Sequence, residues 1–463
     1  MSASPDKEYV TIIAKRSAKN ENSPRFETCR AQPVLLQFAG VFMDEINHSG
    51  SLPGMRRDLE FFPVQHRGEQ LILVKDHLGL VQEGKALPLP LFHMLSLFDG
   101  NRTMVDLQTL LMRQGGGILV GSEEIRGLLE RLDQSFLLDS KRFRKAKAKI
   151  VDDFAREPLR VCSHGGKGYP DRPDKLRNRL DEILSSGSPL KHQDNIRAIV
   201  SPHIDLSVGR KEYAKAYNSL KGASPTRIVI LGIGHRMADR LFCLTDKDFQ
   251  TPLGIAPTDK SAVKKLRTGA PKAVSEDDFA HRSEHSIEFQ VLFLQHLFPE
   301  NPFTIVPILC GSIPSCVQQY RRSAYLESAG PFTDIIRSML QEEGERTLLV
   351  AGVDFSHIGP KFGHRQDAAV METQAANHDR SLLDSLCRLD AEAFWAESAG
   401  VEDRYNVCGF SALACLLEVL PSCRGEVLGY ECWHEEQTRS AVSFASMVFR
   451  DRDQRSEVGG LRS

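Results

Sequence analysis

Hydrophobic positions follow two rhythms along this chain, and the rhythm changes before its midpoint. Between residues 32 and 140, helix-spaced stripes dominate. PLFHMLSLF has helical spacing and is closed by Asp99-Gly100. MVDLQTLLMRQ follows Thr103, a good N-cap, with Asp106 in the third helical position. EEIRGLLERLDQ follows Ser122 and aligns Ile125, Leu128, Leu129 and Leu132 on one face. QLILVKDHLGLVQ reads as strand, turn, strand with Asp76-His77 near the turn, and SFLLDS reads as a short closing strand. Together these elements predict a small α+β, winged-helix-like domain.

Beyond residue 190 the pattern becomes short, strongly apolar runs separated by helices. RAIVSP, RIVILGIG, FTIVPILCG, TLLVAGV, EVLGYECW and AVSFASMVF read as strands, and HSIEFQVLFLQHLF and FSALACLLEVL as helices. Alternating strands and helices predict an α/β three-layer sandwich with a mostly parallel central sheet, its last two strands pairing antiparallel. The predicted organisation is a flexible tail over 1–31, the winged-helix-like module over 32–140, a linker and leading helix over 141–190, the α/β domain over 191–451 and a second tail over 452–463. KRFRKAKAKIVDDFAREP reads as a solvated helix face, and the Gly- and Pro-rich stretch from Ser163 to Asp174 as the inter-domain connection.

Charge and composition narrow the options. The 59 Lys and Arg nearly balance the 61 Asp and Glu, so no global field steers the chain onto nucleic acid or an anionic membrane. No run approaches the roughly 20 apolar residues that span a bilayer. The polar N-terminus lacks an apolar signal core, which predicts a cytoplasmic location. Ten cysteines without a CxxC pair argue against a zinc ribbon or iron–sulfur cluster and fit reduced thiols.

The chemistry gathers at predicted strand ends. RAIVSP leads into His203 and Asp205, RIVILGIG into His235, and TLLVAGV into Asp354, Ser356 and His357. A strand fixes the backbone while the loop beyond it frees the side chain, so several strand ends can converge on one cation. Each histidine alone is an ordinary hydrogen-bonded polar residue; the repetition is what points to a site. Cys408 precedes a predicted helix, whose N-terminus favours the metal-binding thiolate. SEHSIEFQ offers Glu284 and Glu288 on one helix face, His285 beside them and Ser283 as N-cap, with Ile287, Val291, Leu292 and Leu294 opposite.

SPHID, ILGIGH, the TPLG turn, EHSIE, IVPILCG, VDFSHIG, VCG and SAVSFAS occur in this order over roughly Arg197 to Phe449. In these stretches the chain resembles the Memo family, which includes protein B of the AmmeMemoRadiSam systems and is related in fold to the class III extradiol dioxygenases. The resemblance implies one metal ion held by His203, His235 and Cys408. It implies catalytic roles for His357 and Asp354 facing that metal and for Glu284 and His285, and places Glu284, His285 and Glu288 at the pocket wall. It departs from the family pattern at Asp205, at Arg236 and in Gly409-Phe410-Ser411-Ala412. The first domain resembles the winged-helix peptide-recognition modules of peptide-maturation systems.

Two imidazoles and a sulfur suit iron(II) or copper, with zinc as a third option, and leave coordination positions open. The expected function is a metal-dependent oxidoreductase of dioxygenase type, with His357 as acid/base and Asp354 orienting it. Sulfur in place of the dioxygenases' carboxylate argues against classical ring cleavage. The competing expectation is a non-catalytic module that captures a peptide or phosphorylated ligand in the same pocket. The resemblance also implies radical-SAM and AMMECR1-like partner proteins and a peptide ligand at the N-terminal module.

Overall fold

The computed structural model describes residues 50–114, 120–187, 195–237, 240–313, 317, 320–342, 344 and 346–451; the two predicted tails lie outside them. The chain divides into two compact units, Met1–Asp153 and Phe154–Ser463.

The first unit holds an antiparallel sheet, β1 (Leu59–His66), β2 (Glu69–Asp76) and β3 (Ala86–Pro88), in that order. Three helices follow: α1 (Leu89–Leu95), α2 (Met104–Gln114) and α3 (Ser122–Gln134). The hairpin is β1–β2, one strand earlier than the hydrophobic pattern suggests. It turns at Arg67 and Gly68, both with positive φ, as a two-residue hairpin turn requires. The segment after Asp76 forms no strand because the Asp76 carboxylate takes its amides. Leu78, Leu80 and Val81 donate to it at 3.0, 2.9 and 2.8 Å. Buried Arg56 donates to the same carboxylate at 2.8 and 3.1 Å.

Thr103 caps α2 as expected: its Oγ1 accepts from the Asp106 amide, while its own amide donates to Asp106 at 2.9 Å. Ser122 lies one residue inside α3, whose cap is Gly121, and Glu124 closes the turn by accepting from the Gly121 amide. SFLLDS makes a single bridge, Leu138 to Met55, instead of a strand. Its Leu137 and Leu138 are nonetheless buried in the core with Leu95, Leu107, Leu129 and Leu132. The basic run forms α4 (Lys141–Arg156), which crosses the boundary between the units.

The second unit begins with β4 (Leu159–Val161), α5 (Pro173–Leu184), β5 (Ile196–Ser201), α6 (Arg210–Asn218) and β6 (Arg227–Ile233). It continues through β7 (Phe242–Leu244), β8 (Asp248–Thr251), β9 (Gly254–Ala256), α7 (Lys260–Gly269), α8 (Ser286–Leu297) and β10 (Thr304–Cys310). Then come α9 (Arg322–Leu340), β11 (Thr347–Gly352), β12 (His357–Ile358), α10 (Ala368–Arg388), α11 (Ala391–Val401), α12 (Phe410–Val419), β13 (Cys423–Glu435) and β14 (Ser440–Asp451). The main sheet runs β12-β14-β5-β11-β6-β10-β7, with β13 paired to β14. Its centre, β5-β11-β6-β10, is parallel. The flanking strands are antiparallel, including the β13–β14 pair read from the sequence. A small second sheet joins β4, β8 and β9.

Strand alternation makes this a three-layer structure. Val200, Val229, Leu231 and Val306 point to a core shared with α7 and α9–α12. Their neighbours Ile199, Ile228, Ile230 and Ile305 point to a second core shared with α5, α6 and α8. Because β5, β6 and β11 are parallel, their carboxyl ends share one edge of the sheet.

Helix α8 departs most from its sequence pattern. It has no solvated face: Ser286 through Leu294 are all buried. Glu288 points to a buried ion pair with Arg160 of β4. Ser163 and His164 each donate a backbone N–H to it at 3.0 Å, and the Tyr169 hydroxyl donates at 2.6 Å. The stretch expected to connect domains is thus a clasp around one buried carboxylate. Burial alone would raise the Glu288 pKa; the Arg160 charge beside it holds the carboxyl well below its usual range.

Removing one partner of either buried ion pair strands the other's charge. Asp76→Ala and Glu288→Gln are each expected to cost about 3–5 kcal/mol, read as a lower urea midpoint. Glu123→Gln, which removes an exposed pair with Arg126, is the control and should leave the midpoint in place. A midpoint unchanged in Asp76→Ala or Glu288→Gln would remove that pair from the account of stability.

Candidate metal centre

Three elements deliver three candidate ligands. The chain leaves β5 at Ser201 and reaches His203; it leaves β6 at Ile233 and reaches His235; Cys408 lies just before α12. One donor atom from each lies within 4.8 Å of the other two. The Cys408 Sγ is 3.8 Å from the His203 Nε2. Gly409, between Cys408 and α12, lets the chain pass tightly: a Cβ there would sit 2.5 Å from the Asp354 carbonyl oxygen.

Both imidazoles are held from behind. His203 donates its Nδ1–H to the Gly352 carbonyl at the end of β11, at 3.0 Å. His235 donates its Nδ1–H to the Glu284 carboxylate, also at 3.0 Å. Each ring therefore keeps its Nε2 lone pair for a ligand, the arrangement by which proteins fix metal-binding histidines.

Glu284 anchors more than one ring. Its other oxygen accepts from the backbone N–H groups of His285 and Ser286, at 2.8 and 3.0 Å. It serves the start of α8 where Ser283 was expected to, because Ser283 ends a preceding 3-10 turn. Burial would raise the Glu284 pKa, but the charges and hydrogen bonds of His235 and His285 hold it well below the usual value. Burial pulls the His235 pKa down, and Glu284 more than reverses this. Fully buried His203 is pushed well below its ordinary value, by desolvation and then by the neighbouring His235 and His285.

His285 lines the same cavity. Its ring stacks on His235 at 5.3 Å and meets His203 edge-on at 5.3 Å. Glu288, expected at the pocket wall, faces the Arg160 clasp instead and does not line the cavity. The His164 ring lies 5.4 Å from that of His285 and joins that clasp to the site.

Asp354 and His357 both line the cavity, and each makes its hydrogen bonds to backbone groups. Asp354 Oδ1 accepts from the His203 backbone N–H at 3.1 Å, and Oδ2 lies 3.6 Å from the His203 ring. His357 donates its Nδ1–H to the Phe355 carbonyl at 3.0 Å, leaving Nε2 as an acceptor. Burial lowers the His357 pKa to about 4, so its ring is neutral near pH 7. Burial likewise raises the Asp354 pKa.

Cys408 corrects one expectation. The start of α12 was expected to favour the thiolate; burial and the Asp354 charge instead push its pKa well above the usual thiol value. Without a cation it is a thiol, donating weakly to the Asp354 carbonyl at 3.5 Å. A bound cation would take the place of that proton.

The cavity in front of these residues encloses about 620 Å³. Ile233, Ile313, Phe362, Phe410 and Trp433 give it an apolar wall, and Asp205, Asn406 and Lys361 a polar one. Sequence reading missed Lys361 and Phe362, neighbours in one 3-10 turn, and Asn406 and Trp433, which stand in a separate loop and strand with no shared motif. Among the described residues, no helix is long and apolar enough to cross a membrane.

Comparison with known proteins points to one family. The model of the Memo-like protein family matches residues 160–448. A MEMO1 family protein of Aquifex aeolicus is 32% identical over 404 residues, spanning 85% of this chain and 100% of that protein. That span exceeds the family segment and reaches into the N-terminal region. A MEMO1 family protein of Thermus thermophilus is 28% identical over 75% of this chain and 99% of its own length. A protein memo-1 homolog of Caenorhabditis elegans is 27% identical over 57% of this chain and 71% of its own length. With more than half its length matched to one family and a full-length relative above 30% identity, the chain belongs to the Memo family.

Proposed function

We propose that His203, His235 and Cys408 hold one redox-active metal ion, iron(II) or copper, and that the protein is an oxidoreductase of dioxygenase type. One observation carries the reading: both histidines commit Nδ1 to a protein acceptor, and one donor atom each of His203, His235 and Cys408 lies within 4.8 Å of the other two. The donor set fits such an ion, two imidazoles and a thiol, soft enough for iron(II), copper or zinc. Such an ion supplies electron transfer between a reduced organic substrate and dioxygen.

The chain's own residues do the rest. Glu284 orients His235 and stabilises the start of α8, so it is a positioning residue. Asp354 fixes the backbone that presents His203. His357, with its free Nε2, takes a proton from a substrate hydroxyl or amine in the cavity and returns it to the product. The apolar wall admits an aromatic or aliphatic group and excludes water from it. The AmmeMemoRadiSam association extends this proposal: the substrate would be a peptide or protein, with radical-SAM and AMMECR1-like proteins acting alongside.

Anaerobically purified protein is expected to carry about one metal ion per chain, lost in Cys408→Ala and in His203→Ala, by elemental analysis. Metal content unchanged in both variants would dismiss this centre. Glu284→Gln keeps every ligand but loosens His235, and should weaken metal affinity roughly 10–100-fold in a chelator competition. Dioxygen consumption tests the chemistry separately. Ligand binding that survives loss of the metal, with no oxygen uptake, would favour a binding module over an enzyme.

A further inference from the structure

On the far side of β13 from the cavity stands a second set of donors that the proposed centre does not use. Strand alternation separates the two sides. Trp433 lines the cavity, and Glu435 pairs at 3.0 Å with Lys361, which also lines it. Tyr430, Cys432 and His434 have the opposite parity and face α10. The Tyr430 hydroxyl donates to Asp379 of α10 at 2.8 Å, and the His434 Nε2 lies 3.2 Å from the Glu372 carboxylate. Glu372 and Asp379 are seven residues apart, two turns along one face of α10. Donor atoms of Glu372, Cys432 and His434 lie within 4.8 Å of one another.

We propose that Glu372, Cys432 and His434 form a second metal site, for a zinc-like divalent cation with water in the remaining position. The donors are an imidazole, a sulfur and a carboxylate, the three side-chain types that zinc takes. An imidazole–carboxylate pair alone is a common surface feature; the sulfur sets this one apart. Among the described residues, the Cys432 thiol makes no hydrogen bond, and the carboxylates of Glu372 and Asp379 act on it. A thiol beside two carboxylates is a poor place for an anion and a good one for a cation. On binding, the cation takes the sulfur's electron pair and the proton leaves to solvent. Glu372 and His434 are each less than half exposed, open enough to admit the ion. The ion would tie the end of β13 to α10 and so fix the strand that carries Trp433 at the cavity.

This site shares no residue with His203, His235 and Cys408, so it is tested with two of those three removed. Full-length protein carrying His203→Ala and Cys408→Ala is titrated with Co²⁺ alone and, separately, with Zn²⁺ alone. The expected result is saturable binding with a sulfur-to-cobalt charge-transfer band that Zn²⁺ abolishes. Adding Cys432→Ser should remove the band. His434→Ala and Glu372→Gln, both at partly exposed positions that tolerate change, should weaken binding. Zn²⁺ should also shield Cys432 from alkylation. No binding in the parent double variant, or a band that persists in Cys432→Ser, overturns the second site and leaves the first proposal standing.

Discussion

The Glu284 carboxylate ties together backbone, helix and candidate centre. One oxygen accepts the His235 ring N–H; the other accepts the first amides of α8. A helix start leaves such amides without partners, and an anion there is also favoured by the helix dipole. The residue that satisfies the helix is therefore the one that aims the histidine. The docking of α8 on β6 is equally tight. A Cβ on Gly232 would sit 2.6 Å from both Ile287 Cγ1 and Ser286 Oγ, and Ser286 bonds both backbone groups of Ile233. The end of β6, and His235 with it, has little freedom to shift.

Charge buried beneath the site is balanced residue by residue. Glu288 lies inside a helix with no polar face, where a bare carboxylate would be very costly. Arg160, two backbone amides and the Tyr169 hydroxyl satisfy it. Asp379 is treated in the same way. Ser356, Ser443 and Tyr430 donate to it, and Ser356 belongs to the loop that carries Asp354 and His357. Hydrogen bonds to buried acids thus hold the loops around the cavity in place from two sides. Burial dominates at His357 and Cys408 as well: deep in the fold, desolvation outweighs the Asp354 charge beside His357 and adds to it at Cys408, so each keeps its uncharged form.

Family membership and the candidate triad leave the reaction open, because one fold supports many chemistries. What the cavity adds is a set of constraints. It pairs an apolar wall with Asp205, Asn406 and Lys361, and faces them with three imidazoles in mutual ring contact. Any substrate must present an apolar body and a polar end to that surface.

The sequence by itself determined the layered α/β architecture, since alternating runs such as RIVILGIG and TLLVAGV can bury both faces only between helices. It also determined which histidines stand at strand ends, because a strand's end and its next polar residue are local facts. Cys408 entered through family resemblance, as the sequence places it some two hundred residues from His203. Tertiary structure decided whatever depends on partners distant along the chain. It turned Glu288 away from the pocket towards Arg160, gave Asp354 to the His203 backbone, and made the 163–174 stretch a clasp. It kept Cys408 a thiol, because burial outweighed the helix terminus that the sequence displayed. It also placed Cys432 and His434 against Glu372, since strand parity is legible in sequence while the helix that meets that face is not. Local rules set elements and caps; the environment of a charge is set by what folds over it.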